Sequence, residues 1–100
     1  HHSPDFSTAR LGAQAVFVHE LTHLWQARRG VCLAVAKLKA GFSARAYVYS
    51  PEPDCDWDRL NIEQQAMVVQ HRFLQSRGAA APGDAAFYAR VCPVMPRNPD

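Results

Sequence analysis

Apolar positions along the first third of the chain recur at helical spacing. From Ser7 or Thr8 to Arg29 there is no proline, Arg28 and Arg29 suit a helix C-terminus, and Gly30 is a stop. One long helix is predicted. Within it Val16, His19, Glu20, His23 and Ala27 follow the i, i+3, i+4, i+7 spacing of a single stripe, which is expected to share a face with the core. Val31, Val35 and Leu38, in a segment that ends in Lys37 and Lys39 and is followed by Gly41, predict a shorter helix over 31–40. The branched valines also fit a strand there.

Further on, "ARAYVYS" alternates Ala46 and Val48 against Tyr47 and Tyr49, then meets Ser50 and Pro51, and predicts a short extended piece. "PEPDCDWD", with its prolines and aspartates, is a loop. Asn61 with Gln64 makes a capping-box start, and Ile62, Ala66, Val69 and Phe73 form the buried stripe of a helix running to about Arg77, before Gly78. A short helix over 84–91 and a proline-broken coil, "CPVMPRNPD", complete the chain. The pattern adds up to a single, mainly α domain over 1–100: a long helix packed on a second one, with at most a short extended segment.

Composition narrows the function classes. The chain has 100 residues, 48% of them hydrophobic and 20% charged, the balance of a folded domain. Its core is small, so a metal, a disulfide or a partner chain would help to hold it. A net charge of +2, carried by scattered Lys and Arg, argues against nucleic acid as partner. No segment has the roughly 20 apolar residues needed to span a bilayer, which argues against a membrane anchor. The opening His1, His2 and Ser3 lack the charged end and apolar block of a secretory leader and suit a domain cut from a longer protein. His1 and His2, native or a tag remnant, are left out of the site. Cys32, Cys55 and Cys92 contain no C-x-x-C pair, which disfavours a structural zinc knuckle. Three reduced, half-buried thiols are expected, with one disulfide plus a free thiol as the alternative.

The chemistry lies in "VFVHELTHLWQ". Four residues of helix turn through about 400°, so His19 and His23 stand one turn apart and nearly in register, able to meet one tetrahedral ion. Glu20 sits about 100° round from His19, beside the ion, where a carboxylate can take a proton from a water held by the metal. The bland alternative is a pair of hydrogen-bonded histidines on a half-buried helix. A catalytic zinc site takes three protein ligands and keeps a fourth position open. "LWQARRG", which follows the motif, lacks the glycine and third histidine of a three-histidine site, so the third ligand comes from elsewhere. Asp54, Asp56 and Asp58 compete for that place, as does Cys55.

With "NIEQQA" added to "HELTH", the chain resembles the gluzincin zinc metallopeptidases, in which an HExxH helix is completed by a Glu from a later helix. It is also similar to small bacterial proteins with HELTHxWQ, Tyr-x-Tyr and NIEQQA segments, here "HELTHLWQ", "YVY" and "NIEQQA", covering most of residues 5–77. That group is often described as related to Vgr proteins, the spike components of type VI secretion. The resemblance implies a minimal zincin-like core, one Zn2+ ion held by His19, His23 and Glu63, and Glu20 as general base. Ala66 is similar to the small residue that lets the two ligand-bearing helices pack closely. Larger gluzincins often carry an acid four residues after the ligand Glu, to orient the first His. This chain has Met67, leaving Gln64, Asn61 or a backbone carbonyl to do that work.

Peptide hydrolysis also needs a group to stabilise the oxyanion; Tyr47 and Tyr49 are the candidates, and alternation lets one of them point inward. His71 is expected at the surface, and Trp25 in the core as an anchor of its helix. The expected function is zinc-dependent hydrolysis of a peptide or protein substrate, in a bacterial protein secreted through, or partnered by, a secretion system or a further domain. The alternative is a non-catalytic module in which zinc holds two helices together.

Overall fold

The computed structural model describes residues 4–41 and 43–94, with side chains from Ala9 onward. Four α-helices and two short 3₁₀ turns follow one another, and no strand is present among the described residues. The mainly α architecture read from the pattern is the one observed. His1, His2 and the tail over 95–100 lie outside the described residues.

Helix α1 spans Pro4–Arg28, starting earlier than Ser7 or Thr8. A proline is tolerated in a helix's first turn, because its missing N–H would have had no partner there. At the other end Gly30 adopts φ 94°, with its N–H donating to the Ala27 carbonyl (3.1 Å) and that of Val31 to the Gln26 carbonyl (3.2 Å). Such a left-handed residue closes the helix and supplies partners for its last carbonyls. Gly78 ends the third helix in the same way, at φ 82°, with the Ala79 N–H on the Leu74 carbonyl at 2.9 Å.

Helix α2, Leu33–Ala40, settles the helix-or-strand choice in favour of a helix. It has no buried residue, and Val35 and Leu38 are exposed, so it rides on the outside of the domain. Where alternation suggested an extended piece, Ala44–Tyr47 forms a 3₁₀ turn and only Val48 onward is extended. Alternation over so few residues cannot separate a period of two from a turn of three. The acidic loop ends in a second 3₁₀ turn, Trp57–Arg59, whose cap is Asp56.

Helix α3, Ile62–Ser76, begins with the capping box that its sequence spells. The Gln64 N–H donates to Asn61 Oδ1 at 2.8 Å, and the Asn61 N–H to Gln64 Oε1 at 2.9 Å. Helix α4, Ala85–Val91, is capped by Asp84, which accepts from the Phe87 N–H at 2.8 Å. Two arginines tie the loops down. Arg72 donates to the carbonyls of Cys92 and Val94, and Arg90 to those of Cys55 and Glu52.

The core lies where α1 crosses α3 and α4 closes one end. Ala15 and Val18 from α1 meet Val68, Val69 and Phe73 from α3, with Tyr49, Phe87, Tyr88, Val91 and Cys92 around them. Ala66 is fully buried, as the small residue at a close helix crossing should be. The buried face of α1 is Ala15, Val18, His19, Thr22, His23 and Gln26. Val16, Glu20 and Ala27 are exposed, so the expected core stripe is rotated: its histidines are buried and its other members are not. Phe17, Leu21 and Leu24 are exposed too, and with apolar residues on both sides of the helix, periodicity had no means of choosing the inner one. No helix among the described residues is long and apolar enough to cross a membrane.

Replacing Asn61 by Ala removes one of the two reciprocal bonds outright and should cost about 1 kcal/mol of stability. Urea unfolding of the metal-free protein measures this; a midpoint equal to that of the parent would mean that the cap carries no weight.

Candidate metal centre

The site is assembled from the middle of α1 and the first turn of α3. His19 and His23 project from the buried face of α1, and Glu63 stands one residue inside α3, where the helix dipole favours a carboxylate. Glu63 Oε1 lies 3.0 Å from His23 Nε2 and 3.3 Å from His19 Nε2. The rings stand nearly perpendicular, 80° apart, with their centroids 5.0 Å from each other. All three residues are buried. Among the described residues they are the one group of His, Cys, Asp and Glu whose ligand atoms converge, all within 4.8 Å of one another.

The two distances to Glu63 Oε1 suit a metal site. Bond lengths of about 2.0–2.2 Å to nitrogen and carboxylate oxygen put the corners of a tetrahedron about 3.3 Å apart. Two imidazole nitrogens and one carboxylate are also a donor set that divalent transition metals take. His19, His23 and Glu63 could therefore hold one ion and leave a coordination position open.

Two glutamines face the far sides of the histidine rings. Gln26 Oε1 is 2.8 Å from His23 Nδ1, and Gln70 Oε1 is 2.9 Å from His19 Nδ1. The expected orienting residues, Asn61 and Gln64, are occupied elsewhere: they cap α3, and Gln64 Nε2 donates to the Val48 carbonyl at 2.7 Å. The sequence did hold a signal for the pair. Gln26 continues the stripe of His19 and His23 at i+7, and Gln70 stands two turns beyond Glu63 on the same face of α3.

Glu20 is exposed beside the triad, with the exposed Val16 and Leu24 one turn away on either side of it. Tyr47 stacks beside His19, at 6.2 Å between centroids and 27° between planes, and is 41% exposed, which leaves it at the rim. Tyr49 is turned inward instead. Its hydroxyl is 2.7 Å from that of Tyr88 and 2.8 Å from His71 Nδ1, so it is committed to the core network and is not brought to the triad. Burial, then the bond to Tyr88, pushes the Tyr49 phenol far above its usual range.

His71 is half-buried rather than on the surface, because Tyr49 draws it into this network. Trp25 also departs from expectation. It is half-buried and packs edge-on against Trp57 at 6.0 Å, with the Arg29 guanidinium 5.0 Å over its ring, so it pins the acidic loop to α1 at the rim of the core. Asp54, Asp56 and Asp58 are exposed and do not join the triad, and Asp56 is spent on capping its own turn. Cys32, Cys55 and Cys92 are free thiols, exposed, half-buried and buried respectively, and burial pushes the thiols of Cys55 and Cys92 up. The disulfide alternative is not what the structure contains.

Burial, then the nearby His19 charge, pulls the His71 pKa down. Its folded value lies below the unfolded one, so the unfolded chain takes up the proton first, and stability is lost as pH falls below about 6.5 and through the lowered value. His71→Asn should show a smaller loss than the parent in urea midpoints between pH 7.5 and 5.5. An equal loss would assign the acid sensitivity to other groups.

No protein-family model and no solved structure matches this chain. It is similar to a segment of the type VI secretion system spike protein VgrG2b of Pseudomonas aeruginosa, at 31% identity over 99 residues. The match takes in 95% of this chain and 9% of that protein, so the chain spans under a tenth of the curated relative's length.

Proposed function

We propose that the chain is a zinc-dependent peptidase domain of a bacterial protein associated with type VI secretion. The observation that carries this reading is the buried convergence of His19, His23 and Glu63, with an exposed carboxylate, Glu20, one residue from the first ligand. The similarity to a secretion spike protein supports the setting, and the gluzincin-like motif pair supports the chemistry.

A zinc ion in this pocket would supply a Lewis acid and bring the pKa of a water down to roughly 7. The chain's own residues do the rest. His19 and His23, fixed one turn apart on a rigid helix, set the position of the ion, and Glu63 completes the set from α3. Glu20 accepts the proton of the attacking water and returns it to the leaving amine as the peptide C–N bond breaks. Tyr47, stacked beside His19 and exposed, is the donor assigned to the oxyanion; the hydroxyl of Tyr49 is committed to Tyr88 and His71. Exposed Val16, Phe17 and Leu24 around Glu20 offer apolar cover to a substrate chain and would strip water from the carboxylate as they bind it.

A non-catalytic reading has one observation in its favour: the triad joins α1 to α3, so a metal there would staple the main helix crossing. Glu20→Gln separates the two. That variant should keep one equivalent of zinc by elemental analysis and lose roughly 10²–10⁴-fold of the cleavage rate on an unfolded protein such as labelled casein. Full activity in Glu20→Gln would remove the mechanism, and zinc without cleavage in the parent would favour the staple. Glu63→Ala should release the zinc under dialysis that leaves the parent loaded; a fully loaded variant would exclude Glu63 as a ligand.

A further inference from the structure

We propose that Gln26 is a positioning residue that holds the ring proton of His23 on Nδ1, so that Nε2 is presented bare to the metal. The inference rests on the metal-site reading above. Gln26 is 1% exposed, and its amide makes three hydrogen bonds. The two ends of an amide are alike in shape, so its direction is decided by its partners. Nε2 donates to the backbone carbonyl of Ile62 at 3.0 Å, and a carbonyl can only accept. Nε2 also donates to Gln65 Oε1 at 3.0 Å, and Gln65 is oriented in turn, because its own Nε2 donates to the Trp57 carbonyl at 3.0 Å.

A chain of two amides, anchored at both Trp57 and Ile62 on acceptors that cannot reverse, therefore delivers an oxygen to His23 Nδ1. An amide oxygen only accepts, so Nδ1 carries the hydrogen. A ring that binds a metal is neutral and has a single N–H; with that hydrogen on Nδ1, the lone pair lies on Nε2, 3.0 Å from Glu63 Oε1. His19 Nε2 stands 3.3 Å from the same oxygen, so a cation taken up at Nε2, whether a metal ion or the proton of an imidazolium, joins the ring to Glu63. The amide chain thus selects the ring form that binds a metal. Among the described residues, the bond from Gln70 to His19 has no such backbone anchor, which makes His23 the more firmly committed ligand.

The test combines nitrogen-15 NMR of the histidine rings with competitive zinc titration of the full chain. In the parent, His23 Nδ1 should stay in its protonated, pyrrole-like form with and without zinc. Gln26→Leu fills similar space but accepts no hydrogen bond; its Nδ1 should take on pyridine-like character in the metal-free protein, and zinc should bind roughly 10–100-fold more weakly. Gln26→Glu retains an acceptor for Nδ1–H and should restore the protonated form and most of the affinity. Gln65→Leu, which leaves the Ile62 anchor in place, should keep the parent pattern and so exposes any merely structural effect of disturbing this region.

A pyridine-like His23 Nδ1 in the parent overturns the proposal, and that measurement stands even if Gln26→Leu fails to fold. Parent-like spectra and affinity in Gln26→Leu overturn it as well. A parent that binds no zinc yet keeps Nδ1 protonated would defeat the proposed function and leave the orientation of His23 intact, so the two fail separately.

Discussion

The meeting of one carboxylate oxygen with two imidazoles, between α1 and α3, is the constraint around which this small domain is arranged. Placing Glu63, His19 and His23 out of water is costly unless each polar atom finds a partner. The structure meets that demand in full: among the described residues, no buried side-chain nitrogen or oxygen lacks a hydrogen-bond partner. The approach also requires close packing. Ala15 and Ala66, 1% and 0% exposed, let the helices come near enough for side chains from both to share one small volume.

Around the triad, the partners of the two histidine rings are neutral amides. Met67, four residues past Glu63, cannot accept a hydrogen bond of any strength, and Gln26 and Gln70 take up the two Nδ1 atoms instead. A neutral acceptor orients a ring without adding a second buried negative charge. In a core this thin, that choice limits the desolvation cost. Gln26 serves the fold as well, since its other bonds fasten α1 to the start of α3 and, through Gln65, to the turn at Trp57. The contact with the His23 ring and the helix packing thus share one side chain.

The outer side of α1 has a different character. Val16, Phe17, Leu21 and Leu24 are 43–61% exposed, in a helix whose inner face holds the triad. The same helix therefore buries a polar, hydrogen-bonded stretch, His19, Thr22, His23 and Gln26, next to Ala15 and Val18, and exposes apolar side chains around Glu20. This departs from the usual amphipathic arrangement and leaves Glu20 exposed among apolar side chains.

Local signals were legible without a structure. Asn61 and Gln64 announced a capping box, Gly30 and Gly78 the ends of α1 and α3, and the four-residue spacing of His19 and His23 a shared face, because each depends only on neighbours within a turn or two of chain. Glu63 was reached through resemblance of motifs rather than through spacing. Which side of α1 faces inward, the 3₁₀ turn at Tyr47, the inward hydroxyl of Tyr49 with His71, and the pairing of Trp25 with Trp57 were decided by tertiary structure alone. Each of these depends on residues distant in the chain. Apolar residues on both sides of α1 made its local pattern degenerate, and only the surface of α3, with Glu63 and Ala66 at one crossing, could select the face that carries the site.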